Sequence, residues 1–272
     1  MSSEHATHET QEAVIRVRNV SKNFDSAEPP VTVLNNINME IGAGEFVAVM
    51  GASGSGKSTL LYAISGMDRP TTGTVELLGK DLTELEERSM SAVRLHTVGF
   101  VFQQPYFLTH LNLRDNVMLP ALKAAESKRF GRRRLPGRTK AEVQGRVQRL
   151  MDRLEIGHVA HHGVTEVSGG QLQRAAICRA LASEPAVIFA DEPTGALNSA
   201  MSEEVMDALA QVHATGTTVV MVTHDPACAA RADRVVYLSD GEVLDSWVAP
   251  GRAASQIDRK HHLAQWLADR GF

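Results

Sequence analysis

The glycine-rich segment Gly51-Ala-Ser-Gly-Ser-Gly-Lys-Ser-Thr59 constrains the fold of this 272-residue chain more than any other feature. It fits the pattern G-x-x-x-x-G-K-[ST], in which a loop wraps around phosphate groups. An apolar run at 46–50 precedes it, and a helix-like segment at 59–65 follows it. This order of strand, loop and helix is the context that the pattern requires, and it argues against the alternative of a glycine-rich turn without a ligand.

The residue types in this loop suit the triphosphate of ATP together with Mg²⁺. Phosphates carry concentrated negative charge, and Gly51, Gly54 and Gly56 leave backbone N–H groups uncovered to bind them. The following helix presents further N–H groups and the positive end of its dipole. We expect Lys57 to reach the β- and γ-phosphates and the Ser58 hydroxyl to bind the metal. The expected nucleotide contacts of the loop are Gly51, Ser53, Gly54, Ser55, Gly56, Lys57, Ser58 and Thr59.

Two carboxylates follow a second apolar run, at 186–190. Continuous hydrophobicity over such a run is typical of a central parallel strand that is covered on both faces. Ligands of these sheets bind at the carboxyl ends of the strands, where Asp191 and Glu192 would emerge. We expect Asp191 to bind Mg²⁺ and Glu192 to orient and deprotonate the attacking water. The alternative is a strand that ends in two solvated acids.

A histidine ends a third apolar run, at 217–223. A lone histidine is more often structural than catalytic. After a neighbouring parallel strand, however, His224 would face the same crevice as the carboxylates. We therefore interpret it as a contact to the γ-phosphate and the attacking water.

Together these segments resemble the ATP-binding-cassette family, the nucleotide-binding subunits of ABC transporters, over residues 14–248. The segment Ser168-Gly-Gly-Gln171 is similar to the family's signature motif. Gln103 resembles the glutamine that senses Mg²⁺ and the γ-phosphate. Phe24 is similar to the aromatic residue that stacks on adenine, and His224 to the switch histidine.

The resemblance implies that two chains pack head to tail as a homodimer when ATP binds. The signature residues of one chain would complete the site that the glycine-rich loop of the other begins. Gly169 and Gly170 are expected to leave backbone N–H groups bare before a helix at 171–182, which would bind an anion. The expected contacts across the dimer are Ser168, Gly169, Gly170 and Gln171.

One residue departs from the family pattern. The segment after the carboxylates reads Gly195-Ala-Leu-Asn198, where the family usually ends in aspartate. Asn198 keeps a side-chain acceptor but loses the charge. Either communication between the two sites is weakened or the residue is a neutral variant.

The expected fold class is α/β, a P-loop NTPase with a RecA-like parallel sheet, an antiparallel β subdomain and a helical subdomain that carries the signature motif. Parallel strands are predicted at 46–50, 98–102, 187–190 and 219–222. In the C-terminal helix, Ile257, Leu263, Trp266 and Leu267 recur at roughly helical spacing. The predicted units are a mobile tail at 1–12, the ATPase domain at 13–250 with the helical subdomain inserted at about 104–170, and the C-terminal helix at 251–272.

Three further segments, at 78–85, 98–104 and 113–120, are similar to the macrolide-exporter and lipoprotein-releasing branch of the family. That resemblance implies an ATP-hydrolysing subunit that powers a separate membrane permease for export, envelope extraction or mechanotransmission. The transported substrate cannot be read from the sequence. The alternatives are a soluble ABC ATPase acting on DNA or ribosomes, and a nucleotide-gated regulatory module without transport.

Composition bears on location and partners. A net charge of −4 and a pI near 6.3 give no general attraction to nucleic acid, so none is expected as a partner. No apolar run approaches the roughly 18 residues of a membrane span, and we expect a cytoplasmic chain that lies peripherally on the inner membrane face through its permease. The basic segment Lys128-Arg-Phe-Gly-Arg-Arg-Arg-Leu-Pro-Gly-Arg138 is either a solvated loop or a contact to anionic lipid or to an acidic permease loop.

Overall fold

The computed structural model describes residues 13–24, 29–126, 139–250 and 255–271. The expected tail at 1–12 and the basic segment at 128–138 lie outside the described residues. The strands are β1 (Ala13–Phe24), β2 (Val31–Gly42), β3 (Phe46–Met50), β4 (Thr72–Leu77), β5 (Lys80–Asp81), β6 (Val98–Val101), β7 (Val187–Asp191), β8 (Thr218–Val222), β9 (Arg234–Ser239) and β10 (Glu242–Val248). The α-helices are α1 (Lys57–Ser65), α2 (Glu87–His96), α3 (Leu113–Glu126), α4 (Lys140–Arg153), α5 (Gly169–Leu181), α6 (Ser199–His213), α7 (Pro226–Ala229) and α8 (Gln256–Ala268).

The central sheet has six strands in the order β10-β9-β3-β8-β7-β6. All neighbours pair in parallel except β10, which pairs antiparallel with β9. Every residue of β3, β7 and β8 is buried, as the continuous apolar runs predict. The four predicted parallel strands are confirmed, whereas β9 and β10 were not predicted.

Alternate residues of the central strands face two separate cores. In β3, Phe46, Ala48 and Met50 pack with the side chains of α3 to α6. Val47 and Val49 point the other way, towards α1 and the second sheet. That second sheet is antiparallel, in the order β2-β1-β4-β5, and it is the predicted β subdomain.

The helical subdomain is formed by α3 and α4, which pack against α5. Both helices lie within the range of about 104–170 that the sequence predicts for this subdomain. Thr139 begins α4 with a capping box, in which its side chain accepts from the Glu142 backbone and the Glu142 carboxylate accepts from Thr139.

The C-terminal helix α8 packs on the central sheet through Leu263 and Leu267, which are buried. Trp266 contacts Tyr237 edge-on, with 6.2 Å between ring centroids. The prediction that Ile257 shares this face is wrong, because its side chain is 79% exposed. Six residues of helix rotate the side chain by about 600°, which places Ile257 about 120° away from Leu263 around the axis.

Candidate functional site

The glycine-rich loop runs from the end of β3 to the start of α1, and two of its glycines touch other backbone segments. A Cβ at Gly51 would lie 2.0 Å from the carbonyl oxygen of Leu238. A Cβ at Gly56 would lie 2.7 Å from the carbonyl oxygen of Val33, and this residue has a φ of +97°. No other residue type fits either position without moving the backbone.

Lys57 folds back over the loop. Its Nζ donates hydrogen bonds to the carbonyl oxygens of Gly51 at 2.9 Å and Ala52 at 2.8 Å. Burial lowers the pKa of Lys57, against the opposing effect of the Glu192 and Asp191 carboxylates. The ammonium group therefore lies inside the loop, on the same side as both acids.

Ser55 supplies an unsatisfied group inside the same loop. Its hydroxyl oxygen is buried and has no hydrogen-bond partner among the described residues. It points towards Gly51, since a Cβ at that glycine would lie 2.7 Å from it. Buried hydroxyl groups are normally hydrogen-bonded, so an unpaired hydroxyl here is what a loop that binds an anion would contain. Together with the glycine backbone of the loop and the Lys57 ammonium, it fits a nucleotide phosphate.

Asp191 ends β7 and accepts two hydrogen bonds from one face of α1. The Ser58 hydroxyl donates to its Oδ1 at 2.8 Å, and the Tyr62 hydroxyl donates to its Oδ2 at 2.7 Å. The Ser58 hydroxyl and the Asp191 carboxylate offer hard oxygen ligands, and proteins commonly bind Mg²⁺ through only one or two such oxygens. Tyr62 was missed in the sequence, although it stands four residues after Ser58 and therefore on the same helical face.

Glu192 and His224 meet at the ends of the adjacent strands β7 and β8. The Nδ1 atom of His224 lies 2.9 Å from Oε2 of Glu192. The Glu192 side chain is 17% exposed and that of His224 is 67% exposed, so the pair opens to solvent on the histidine side. Glu192 has a φ of +47°, a strained conformation for glutamate that is held by its backbone hydrogen bond to the Val222 carbonyl at 3.0 Å.

Gln103 follows β6 and lies against the segment that contains Gly195. A Cβ at Gly195 would lie 2.8 Å from the Gln103 Nε2 atom. Within the described ranges, Gln103 makes no hydrogen bond to Ser58 or Asp191. It is therefore near the acids in the fold without contacting the expected metal ligands.

Phe24 ends β1 next to the strand that supports the glycine-rich loop. It pairs with Val31 of β2, and Val33 of that strand approaches Gly56. Its ring is partly exposed, and the Lys22 ammonium lies 5.1 Å from the ring centroid. An exposed aromatic face is thus available at the edge of the loop.

The signature segment forms the N-terminus of α5. Ser168 accepts a hydrogen bond from the Gln171 backbone at 3.2 Å, and the Gln171 side chain accepts from the Ser168 backbone at 2.9 Å. The predicted helix start at Gln171 is wrong, because Gly169 and Gly170 already belong to the first turn. Gly170 is fixed by packing, since a Cβ there would lie 3.3 Å from two side-chain carbons of Met201.

Within one described chain, no hydrogen bond joins this signature segment to the loop at 51–59. Both segments carry exposed N–H-rich backbone, yet they belong to separate parts of the monomer.

Asn198 has a local role that needs no charge. Its side-chain oxygen accepts a hydrogen bond from the Met201 backbone at 3.0 Å and so begins α6 as the N-cap. Asparagine and aspartate cap helices about equally well. The departure from the family pattern therefore leaves this turn of the structure intact.

An apolar cleft of about 280 Å³ lies between α2, α3 and α5. Its lining includes Met67, Phe102, Tyr106 and Pro120, and Tyr106 is 71% exposed. Tyr106 belongs to the loop that follows Gln103. The cleft thus presents apolar surface along β6 and at Phe102, the residue before Gln103.

Arg179 of α5 holds that loop in place. Its guanidinium donates to the carbonyl oxygens of Pro105 at 2.5 Å and Tyr106 at 3.2 Å, and its central carbon lies 4.5 Å from the Phe107 ring centroid. Burial lowers the pKa of Arg179 to about 10, which leaves it charged at neutral pH. No sequence signal had pointed to this residue.

The fold and the assembled loop, acids and histidine define a P-loop NTPase, with the signature segment and helical subdomain of an ATP-binding cassette. Comparison with known families agrees. The pattern of the family described as ABC transporter matches residues 34–195. The chain belongs to this family.

Similar proteins fall into two lengths. The macrolide export ATP-binding/permease protein MacB 2 of Aeromonas hydrophila is 43% identical over 234 residues, which is 86% of this chain and 34% of that protein. The uncharacterized ABC transporter ATP-binding protein YknY of Bacillus subtilis is 40% identical over 231 residues, 85% of this chain and 95% of that protein. The chain thus spans about a third of the length of the export proteins that it matches.

A solved structure is similar over nearly its whole length. The dimeric structure of a post-hydrolysis state of the ATP-binding cassette MJ0796, bound to ADP and Pi, matches with a TM-score of 0.77 and 36% identity. The match covers 87% of this chain and 99% of that one. Across the described ranges, no helix has both the length and the apolar character needed to span a membrane.

Proposed function

We propose that this chain binds ATP with Mg²⁺, hydrolyses it as a homodimer, and powers a separate membrane permease of the exporter type. The observation that carries the proposal is the meeting of the Ser58–Asp191 pair and the Glu192–His224 pair at the ends of neighbouring strands beside the glycine-rich loop. Residues from three separate parts of the chain supply the functional groups that ATP hydrolysis needs.

The loop binds the triphosphate through its backbone N–H groups, the Ser55 hydroxyl and the Lys57 ammonium. Ser58, Asp191 and Gln103 would hold Mg²⁺. The metal, when bound, neutralises charge on the phosphate oxygens. Phe24 stacks on the adenine ring. The remaining contacts within the loop are made by Gly51, Ser53, Gly54, Gly56 and Thr59.

Glu192 and His224 act on the attacking water. Glu192 accepts a proton from this water while the water oxygen bonds to the γ-phosphorus and the bond to the bridging oxygen of ADP breaks. His224 orients the Glu192 carboxylate through the 2.9 Å contact and places its exposed edge towards the γ-phosphate. ADP and inorganic phosphate are the products.

A second molecule completes the site. Ser168, Gly169, Gly170 and Gln171 begin α5, where backbone N–H groups and the positive helix end attract the γ-phosphate of the partner. The similar cassette MJ0796 forms a dimer in its ADP and Pi complex, which supports this arrangement. Because each ATP contacts both chains, ATP binding joins them, and they separate after hydrolysis once inorganic phosphate has left the shared site.

The apolar cleft beside Tyr106 is the surface for the permease. It lies next to Gln103, so a segment docked there is close to the nucleotide. The long relatives named as export ATP-binding/permease proteins combine such a cassette with further chain, which supports a membrane partner for this one. The chain then lies on the cytoplasmic face of the membrane. The basic segment that ends at Arg138, outside the described residues, adds contact to anionic headgroups.

The test measures ATP hydrolysis by the chain alone and with the membrane protein encoded beside it. We expect slow turnover alone and a several-fold increase in kcat with the permease in lipid nanodiscs. Turnover that a permease does not change, but DNA or ribosomes stimulate, would favour the soluble ATPase. ATP binding without turnover in either setting would favour the regulatory module.

A further inference from the structure

Tyr62 is a residue of the site that the proposed chemistry above does not use. Its hydroxyl donates a 2.7 Å hydrogen bond to Oδ2 of Asp191, while Ser58 takes Oδ1 at 2.8 Å. The two donors stand four residues apart on α1, so one helical face grips both oxygens of one carboxylate. Asp191 thus has both oxygens fixed before any ligand arrives.

The Tyr62 ring packs against one aromatic ring, that of Phe100, which belongs to a larger aromatic cluster. Its centroid lies 5.8 Å from that of Phe100, at an interplanar angle of 44°. Phe100 in turn stacks on Phe102 at 4.3 Å and on Phe189 at 6.3 Å. Packing on Phe100 and the hydrogen bond to Asp191 together restrict the ring, so its hydroxyl is directed at the carboxylate.

The Ser58 and Tyr62 hydroxyls have different roles when nucleotide binds. The Ser58 hydroxyl oxygen would also bind the cation in the proposed site, so Ser58 has a second partner beside Asp191. Tyr62 stands one helical turn farther from the loop and has no such second task. Tyr62 is the donor that keeps the Asp191 carboxylate oriented throughout.

We infer that Tyr62 is a positioning residue that orients Asp191 for the cation bound with ATP. The inference rests on the function proposed above and adds one residue to it. Tyr62 touches neither nucleotide nor cation, and its effect passes through the carboxylate that it holds.

The experiment compares Tyr62→Phe with wild type, because phenylalanine keeps the ring and removes only the hydroxyl. Mn²⁺ replaces Mg²⁺ so that its binding to the ADP complex can be followed by electron paramagnetic resonance, with protein in excess over nucleotide. Loss of a hydrogen bond to a metal-ligating carboxylate commonly weakens metal affinity by ten- to a hundredfold. We expect the Kd for Mn²⁺ to rise about tenfold and kcat with Mg-ATP to fall by a similar factor.

Ser65→Ala is the matched control. It also removes a buried hydroxyl from α1, but that hydroxyl donates to the Tyr62 carbonyl at 3.2 Å and not to Asp191. Its Mn²⁺ affinity should stay within about twofold of wild type. Binding of ADP without metal should be unchanged in both variants, which verifies that the loop is folded.

Two results would overturn the inference while the proposed function stands. One is an unchanged Mn²⁺ affinity in Tyr62→Phe, and the other is an equal loss in Tyr62→Phe and Ser65→Ala. If wild-type protein binds no Mn²⁺ with nucleotide, the proposed function itself is wrong. The wild-type measurement therefore separates the two failures.

Discussion

Replacing Arg179 with alanine tests whether this half-buried guanidinium holds the loop after Gln103. The substitution removes two hydrogen bonds to backbone carbonyls, at 2.5 and 3.2 Å, and the stacking on Phe107. Hydrogen bonds from a charged donor contribute about 1.5 kcal/mol each and the stacking about 1 kcal/mol, so roughly 3 kcal/mol of unfolding free energy should be lost if the loop relaxes partly into water.

The assay is thermal unfolding followed by far-ultraviolet circular dichroism without nucleotide. A loss of about 3 kcal/mol corresponds to a fall in Tm of about 6 to 12 °C for a chain of this size. Arg179→Lys is the control, since lysine keeps the charge but lacks the planar guanidinium that donates to two carbonyls. Its Tm should lie between those of Arg179→Ala and wild type. A Tm for Arg179→Ala within about 2 °C of wild type would show that this side chain does not hold the loop.

Three further substitutions test other contacts. Lys57→Ala should abolish ATP binding, measured by fluorescence of a labelled nucleotide, because the loop loses its buried cation; normal binding would contradict the site. Asn198→Ala should lower the free energy of unfolding by about 1 kcal/mol, whereas Asn198→Asp keeps the N-cap and should be as stable as wild type. If urea unfolding shows Asn198→Ala to be as stable as wild type, the capping role is refuted. Burial alone would raise the pKa of Asp233, but hydrogen bonds from His213 and the Phe46 backbone lower it below 3.8 overall. Asp233→Asn should therefore be less stable than wild type at pH 7. Urea unfolding at a series of pH values should show this difference in unfolding free energy shrinking as the pH falls through and below 3.8. A difference that does not change with pH would contradict the pairing of Asp233 with His213.

Much of the fold could be predicted because its signals are local. The strands at the centre of the sheet are continuous apolar runs, and the glycine-rich loop has fixed spacing. β10 could not be predicted in the same way, because only Trp247 of its residues is buried and its apolar residues are interrupted by Asp245 and Ser246. Its place depends on pairing with β9, which local sequence does not encode.

The start of α5 was misjudged for a physical reason. Glycine is a poor helix former, so Gly169 and Gly170 favour a later start. The structure begins the helix at Gly169 because Ser168 caps it and Gly170 packs tightly on Met201. Tertiary packing outweighs intrinsic propensity at this turn.

The acids and the histidine of the site were found from their positions after strands, but the contacts between them were not. Tyr62 and Asp191 are 129 residues apart in the sequence, and only the folded sheet brings them together. The one usable signal was the spacing of four residues between Ser58 and Tyr62. Arg179 had no such signal, because its partners are backbone carbonyls, which every residue possesses.

The shared site is tested most directly by the mass of the Glu192→Gln variant in solution. This variant keeps the shape of the site but lacks the base, so bound ATP should persist and hold two molecules together. Light scattering during size exclusion in saturating Mg-ATP should give twice the chain mass of 29.5 kDa, and Mg-ADP should give the single-chain mass. A single-chain mass in ATP, with ATP binding verified, would contradict a site built from the loop of one molecule and the signature segment of another.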